Sequence, residues 1–221
     1  MSFLPPALTG LLRNTGLYHP LHDWRRDWRF QRKSRAAIAQ WRQAGCPTPP
    51  PDMVKYEVIR HYARKHATPV LVETGTWFGD AIFTLRREFL EIHSIELAPE
   101  LHTQAVAALG HMRHLHLHLG DSATELVRIA QTLTAPALYW LDGHWCDGPS
   151  ARGAKDTPIV EELNFLLRLP PRRDVVLVDD ARFFSGEHGY PTVEELRQLV
   201  ASRRPAASFE LKDDIIRILP V

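Results

Sequence analysis

Cysteine is nearly absent from this chain of 221 residues: Cys46 and Cys146 are the only two, and neither belongs to a Cys-x-x-Cys pair. That excludes a disulfide framework and a zinc ribbon, and it fits a reducing compartment. Long hydrophobic runs are missing too. No uncharged apolar stretch approaches the roughly 20 residues that a spanning helix needs. Residues 1–12 lack a basic n-region and carry Pro5-Pro6, so no secretory signal is expected. A cytoplasmic soluble protein is the expectation. Nor does one sign of charge dominate: 27 Lys and Arg stand against 26 Asp and Glu, a net +1. The chain as a whole offers no electrostatic footprint for nucleic acid, and no such partner is expected. No internal repeat or low-complexity segment is present.

What is there is ordinary globular material, 44% apolar and 24% charged, enough for one buried core with an appendage. The appendage is an N-terminal arm. Over 22–45 a helix-compatible stretch sets Trp24 and Trp28 four apart on one face, with Arg25, Arg26, Arg29, Arg32, Lys33 and Arg35 around the others. A stiff Cys46-Pro47-Thr48-Pro49-Pro50-Pro51 linker follows. Such an arm either packs its tryptophans on the core with its arginines solvated, or contacts phosphates, an anionic membrane surface or a partner subunit, oligomerisation included. Residues 1–51 are read as arm and linker, 52–221 as the domain.

Within the domain, helix-like and apolar segments alternate. Helices are expected over 53–66, 80–90, 98–110, 121–132, 157–169 and 192–202, and buried strands over 69–73, 93–97, 114–119, 137–141 and 174–178. The tail, 207–221, reads strand, Lys212-Asp213-Asp214 turn, strand, with no room for a helix, hence an antiparallel hairpin. The prediction is an α/β fold: a doubly wound, mostly parallel, seven-stranded Rossmann-like sheet closed by a C-terminal hairpin.

Ligands of such sheets sit outside the carboxyl ends of the strands where strand order reverses, so the strand-end residues carry the functional signal. The first strand ends in Glu73-Thr74-Gly75-Thr76-Trp77-Phe78-Gly79, glycine allowing a sharp turn and close approach of backbone to ligand. This is neither the dinucleotide fingerprint nor a P-loop, so no pyrophosphate is indicated. The second strand ends at Glu96, about 20 residues on, where a carboxylate can accept from both hydroxyls of a ribose. The third ends in Gly120-Asp121-Ser122, with Asp121 a natural helix cap. The fourth ends in Asp142-Gly143-His144, the fifth in Asp179-Asp180.

The terminal hairpin and the Glu73-x-Gly75-x-x-x-Gly79 spacing resemble the class I S-adenosylmethionine (SAM)-dependent methyltransferases. That resemblance implies a cofactor site of Glu73, Thr74, Gly75, Thr76, Gly79, Glu96, Asp121, Ser122 and Asp142, with Asp121 and the adjacent amide on the adenine. The Asp142-Gly143-His144 and Asp179-Asp180 ends resemble a narrower group of small-molecule O-methyltransferases, of the macrocin and cephalosporin-hydroxylase-like kind. In its metal-dependent members acids at these positions bind magnesium, which implies Asp142, Asp179 and Asp180 as hard oxygen ligands that would orient a substrate hydroxyl. His144 is the candidate general base. Here it follows Gly143 directly and precedes Trp145, a departure from the commonest form of the motif. No Asn/Asp-Pro-Pro-Tyr signature of base-amine methylation is present, so oxygen is the expected acceptor. Two alternatives stand beside this: a metal-dependent hydroxylase-like or hydrolytic enzyme using the same three aspartates, or a non-catalytic SAM-binding scaffold.

Two loops flank the expected crevice. Residues 146–156, with Arg152 and Lys155, suit a lid over an anionic substrate, and 182–190 supply aromatic side chains for the opposite wall. His114, His116 and His118 would share one strand face. With no cysteine or acid nearby in sequence they are read as structural rather than metal-binding.

Overall fold

The computed structural model describes residues 18–143, 157–170, 172–187 and 189–220, with backbone alone for 18–22. The chain divides into two units, Met1–Pro47 and Thr48–Val221. In the first, helix α1 runs Tyr18–Gln43. Its Trp24 and Trp28 are 62% and 55% exposed, and the Arg32 guanidinium lies 5.6 Å from the Trp28 ring centre. The helix end turns back through positive φ at Gly45 and Cys46, and Trp41 Nε1 donates to the Pro47 carbonyl at 2.7 Å.

The second unit is built on α2 (Asp52–His66), β1 (Val70–Thr74), α3 (Asp80–Leu85), β2 (Glu91–Glu96), α4 (Pro99–Leu109), β3 (Leu115–Leu119), α5 (Ser122–Thr132) and β4 (Ala137–Leu141). It continues with α6 (Ile159–Leu166), β5 (Val175–Val178), α7 (Val193–Arg203), β6 (Ser208–Lys212) and β7 (Ile215–Leu219). Each boundary has a local cause. Asp52 opens α2 and Arg64, Lys65 and His66 close it, which complements the helix dipole at both ends. Pro99 starts α4, Asp121 caps α5, and Thr192 and Glu195 form a reciprocal capping box on α7. Helix α3 stops at Leu85, well short of the expected 90; Arg86 follows as its C-cap, with its guanidinium turned back onto the Phe83 carbonyl and ring.

All seven strands form one sheet in the order β3-β2-β1-β4-β5-β7-β6, the expected doubly wound arrangement. The first five are parallel. β7 runs antiparallel to β5, and β6 pairs antiparallel with β7. A two-residue turn at Asp213-Asp214, φ 53° and 60°, joins the last pair and matches the twist of the strands it connects. β1, β4 and β5 are buried along their whole length, since helices cover both faces of a parallel sheet. Among the described residues no helix is long and apolar enough to cross a membrane.

Strand order reverses between β1 and β4, so the carboxyl ends of these neighbours open the crevice in which the fold positions a ligand.

Candidate active site

β1 and β4 meet there at very short range. Gly75 has φ +86°, and a Cβ on it would lie 2.7 Å from the Asp142 carbonyl oxygen, so only glycine fits. Thr74 Oγ1 accepts from the amides of Asp142 at 3.2 Å and Gly143 at 3.1 Å, which ties the two strand ends together. Gly79, φ +70°, sits at the N-cap of α3 against Leu109.

Behind this loop lies a buried polar chain. Ser94 Oγ donates to Glu73 Oε2 at 2.6 Å and is 2.7 Å from Thr76 Oγ1. Glu73 is 2% exposed. Burial pushes its carboxyl up to about 8, against the Ser94 hydrogen bond and with help from the neighbouring Glu96 charge. Glu96 is held by two backbone amides, Trp77 N to Oε2 at 2.8 Å and Ala98 N to Oε1 at 2.9 Å. Each oxygen keeps a lone pair for a further donor. Trp77 takes φ +50° to make that contact, and its ring meets Phe78 edge-on at 5.1 Å.

At the end of β3, Asp121 accepts from Thr124 N at 3.2 Å as the cap of α5. Ser122 hydrogen-bonds Glu162 of α6, a residue that strand-end reasoning missed. Burial pushes Glu162 up to about 7, the Ser122 bond opposing and the Asp121 charge assisting. Its Oε1 is buried and has no partner among the described residues. An orphaned acceptor beside Asp121 and Ser122 suits a ligand that brings polar hydrogens to this end of the crevice.

The three aspartates converge as expected: ligand oxygens of Asp142, Asp179 and Asp180 lie within 4.8 Å of one another. Asp180 stands at φ 53°, where its amide donates to Asp179 Oδ1 at 2.7 Å. The sequence reading missed the cation that pairs with two of them. Lys55, on the first turn of α2 and 7% exposed, puts its ammonium 2.8 Å from Asp179 Oδ2 and 2.7 Å from Asp180 Oδ1. Arg182 Nη1 adds a 2.7 Å bond to Asp180 Oδ1 and pairs with Asp214. The turn residue Asp214 in turn accepts from Arg182 N at 2.8 Å and Ala181 N at 2.9 Å.

Burial works against charge on Lys55, but the two carboxylates outweigh it and hold the ammonium above its ordinary range. Burial pushes Asp179 up to about 7 despite the Lys55 pairing. Next door, burial and the charges of Asp52, Glu73, Asp80 and Asp142 keep the Tyr56 hydroxyl protonated.

These surroundings do not fit a magnesium ion as they stand. A dication about 3 Å from an ammonium would be repelled by on the order of 10 kcal/mol even at an effective dielectric constant of 20. One signal of Lys55 was present in the sequence: it shares a stripe with Ile59 and Tyr62, a charged residue on the buried face of a helix.

His144 and the loop 146–156, with Arg152 and Lys155, lie outside the described residues. The aromatic wall is only half present. Phe184 joins the hydrophobic core, while Phe183 is exposed under the Arg182 guanidinium at 4.4 Å, with Tyr190 at 6.1 Å.

The histidines hold a correction at the other end of the strands. Acid and imidazole absent from their own strand arrive from β2: Glu91 Oε1 is 2.9 Å from His93 Nε2 and 3.7 Å from His116 Nε2. His93 Nδ1 is 3.0 Å from His118 Nε2. The rings of His93 and His116 stack nearly parallel, 4.8 Å apart, and a carboxylate oxygen of Glu91 and one nitrogen of each ring lie within 4.8 Å of one another, a set that could hold a metal ion. His114 bonds the Arg86 carbonyl instead.

No family model matches the sequence, and no curated protein matches it. Solved structures do. An O-methyltransferase, TomG, from Streptomyces achromogenes, in complex with SAM, aligns at TM-score 0.56 and 17% identity over 85% of this chain and 89% of that one. An O-methyltransferase from Bacillus cereus in complex with SAH aligns at 0.56 and 12% identity, covering 84% and 90%. The SAH-bound methyltransferase PaMTH1 of Podospora anserina aligns at 0.54 and 15% identity, covering 100% and 99%. The chain has the fold of class I SAM-dependent methyltransferases.

Proposed function

We propose that this protein is a SAM-dependent methyltransferase acting on an oxygen of a small hydroxylated molecule. The observation that carries the reading is the ordered series of acids Glu73, Glu96, Asp121 and Asp142 on the carboxyl ends of β1 to β4, at the reversal of strand order. The SAM and SAH complexes of proteins with this fold support it.

Each residue then has a task. Glu96, pinned by two amides, accepts from the ribose hydroxyls. Gly75, with Thr74, Thr76 and Gly79 around it, lets backbone come close to the amino-acid end, and Glu73 supplies negative charge behind it. Asp121, Ser122 and the orphaned Glu162 Oε1 receive the adenine edge. Bound there, SAM supplies a methyl group on a sulfonium sulfur; the acceptor oxygen bonds the methyl carbon as the carbon–sulfur bond breaks, and its electron pair stays on sulfur. His144 takes the hydroxyl proton in this scheme. Asp179 and Asp180 hold Lys55, with Asp142 beside it, as a fixed positive charge near the acceptor, and no step is routed through magnesium. Acceptors of modest size and no nucleic acid belong to the proposal, as does a reducing, cytoplasmic setting consistent with the free, exposed Cys46.

Calorimetry of the whole protein with SAM and SAH is the test. One site per chain is expected, and Glu96→Ala removes two charge-assisted contacts, so affinity falls by about tenfold to a hundredfold. No heat with either ligand, and no adenosyl compound in the mass spectrum of the native protein, ends the reading.

A further inference from the structure

The acid cluster at the ends of β4 and β5 carries its cation in covalent form. We propose that Lys55 is the resident counter-ion of Asp179 and Asp180, occupying the place a hard divalent metal would take beside Asp142 and setting a fixed positive charge near the acceptor oxygen. The role toward an acceptor rests on the methyltransferase reading; the exclusion of metal does not.

Geometry carries it. An ammonium has three N–H donors and a compact charge. Two donors go to Asp179 Oδ2 and Asp180 Oδ1 at 2.8 and 2.7 Å. Asp179 Oδ1 also lies 2.8 Å from Lys55 Nζ, so three carboxylate oxygens surround the ammonium and its charge is shared among them. The lysine does not arrive by chance rotation of a surface chain: it is 7% exposed, on a helix whose neighbouring Tyr56, Ile59 and Tyr62 are buried in the same unit. Arg182 bonds the same Asp180 Oδ1, and Asp214 holds Arg182, so Asp180 is braced against the ammonium. A cation near an acceptor hydroxyl favours its ionised form whether it is a metal or an ammonium. Lys55 therefore supplies the charge-stabilising part of metal catalysis without a metal-binding step.

The experiment uses Mn²⁺ as the probe, followed by electron paramagnetic resonance and calorimetry on the full chain. Wild type is expected to bind no Mn²⁺ at this cluster up to millimolar concentration. Lys55→Ala leaves three carboxylates facing a vacated volume and gains Mn²⁺ binding by at least tenfold. Adding Asp179→Asn to that variant abolishes the gain, and Mn²⁺ raises the melting temperature of Lys55→Ala alone. Wild-type Mn²⁺ binding that disappears in Asp179→Asn overturns the proposal, and that arm stands even where Lys55→Ala fails to fold. A folded Lys55→Ala with no Mn²⁺ affinity overturns it equally. SAM calorimetry on the same samples separates the two claims. SAM binding with wild-type Mn²⁺ binding sinks the inference and keeps the methyltransferase, whereas the metal pattern expected above with no SAM binding does the reverse.

Discussion

Replacing Glu73 with glutamine tests the electrostatics of the crevice most directly. The side chain is buried, and its carboxyl sits at about 8 instead of 4.5, with burial as the main cause. At pH 7 only about one molecule in ten carries the charge, so a ligand whose positive groups require it binds about tenfold more weakly than at pH 9, and about a hundredfold more weakly at pH 6. Because the folded value lies above the unfolded one, this residue stabilises the empty protein fully below about 4.5, and that contribution is lost as pH rises through 8. Ionising it without a ligand costs roughly 5 kcal/mol over the full range. The assay is SAM calorimetry from pH 6 to 9 in two buffers of different ionisation enthalpy. Wild type releases close to one proton per SAM bound at pH 7, and its affinity relative to Glu73→Gln climbs steeply with pH. The ligand's own amine titrates in both proteins, so the ratio cancels it. A ratio that stays flat from pH 6 to 9 refutes the reasoning.

Gly75→Ala forces a side chain into the left-handed region and against the Asp142 carbonyl at 2.7 Å; a loss of about 2 kcal/mol or more in urea melts is expected, with SAM binding gone and circular dichroism retained. An unchanged melt contradicts the β1–β4 contact. Burial pulls His93 and His118 below their ordinary value. Their contribution to stability is therefore present above about pH 6.5 and lost as pH falls; melts at pH 7.5 and 5.5 should show a smaller acid-induced loss in His93→Gln than in wild type.

Local chemistry made most of the scaffold readable. The apolar run 137–141 is β4 to the residue, since a strand buried on both faces has no alternation to blur its ends. Asp121 announced its helix by capping, and the diaspartate turn announced the hairpin. Helices 80–90 and 157–169 were drawn too long because helical propensity outlasts packing at their ends; they stop at Leu85 and Leu166. Pairs distant in sequence were invisible. Lys55 meets its aspartates across 124 residues, and His93 meets His118 across 25, through a strand pairing that no local pattern encodes. Glu162 escaped because an acid in a helix's first turn looks like a dipole partner, when here it is buried against Ser122.

The hairpin turn at Asp213-Asp214 does more than close the sheet, because Asp214 grips both the backbone and the side chain of the segment that follows Asp180. Register between the two final strands thus sets the aim of a carboxylate on a third. Substitutions on the exposed strand β6 that loosen its pairing with β7 would disarm the crevice from a distance, and a screen for lost activity would score the hairpin as though it were part of the catalytic apparatus.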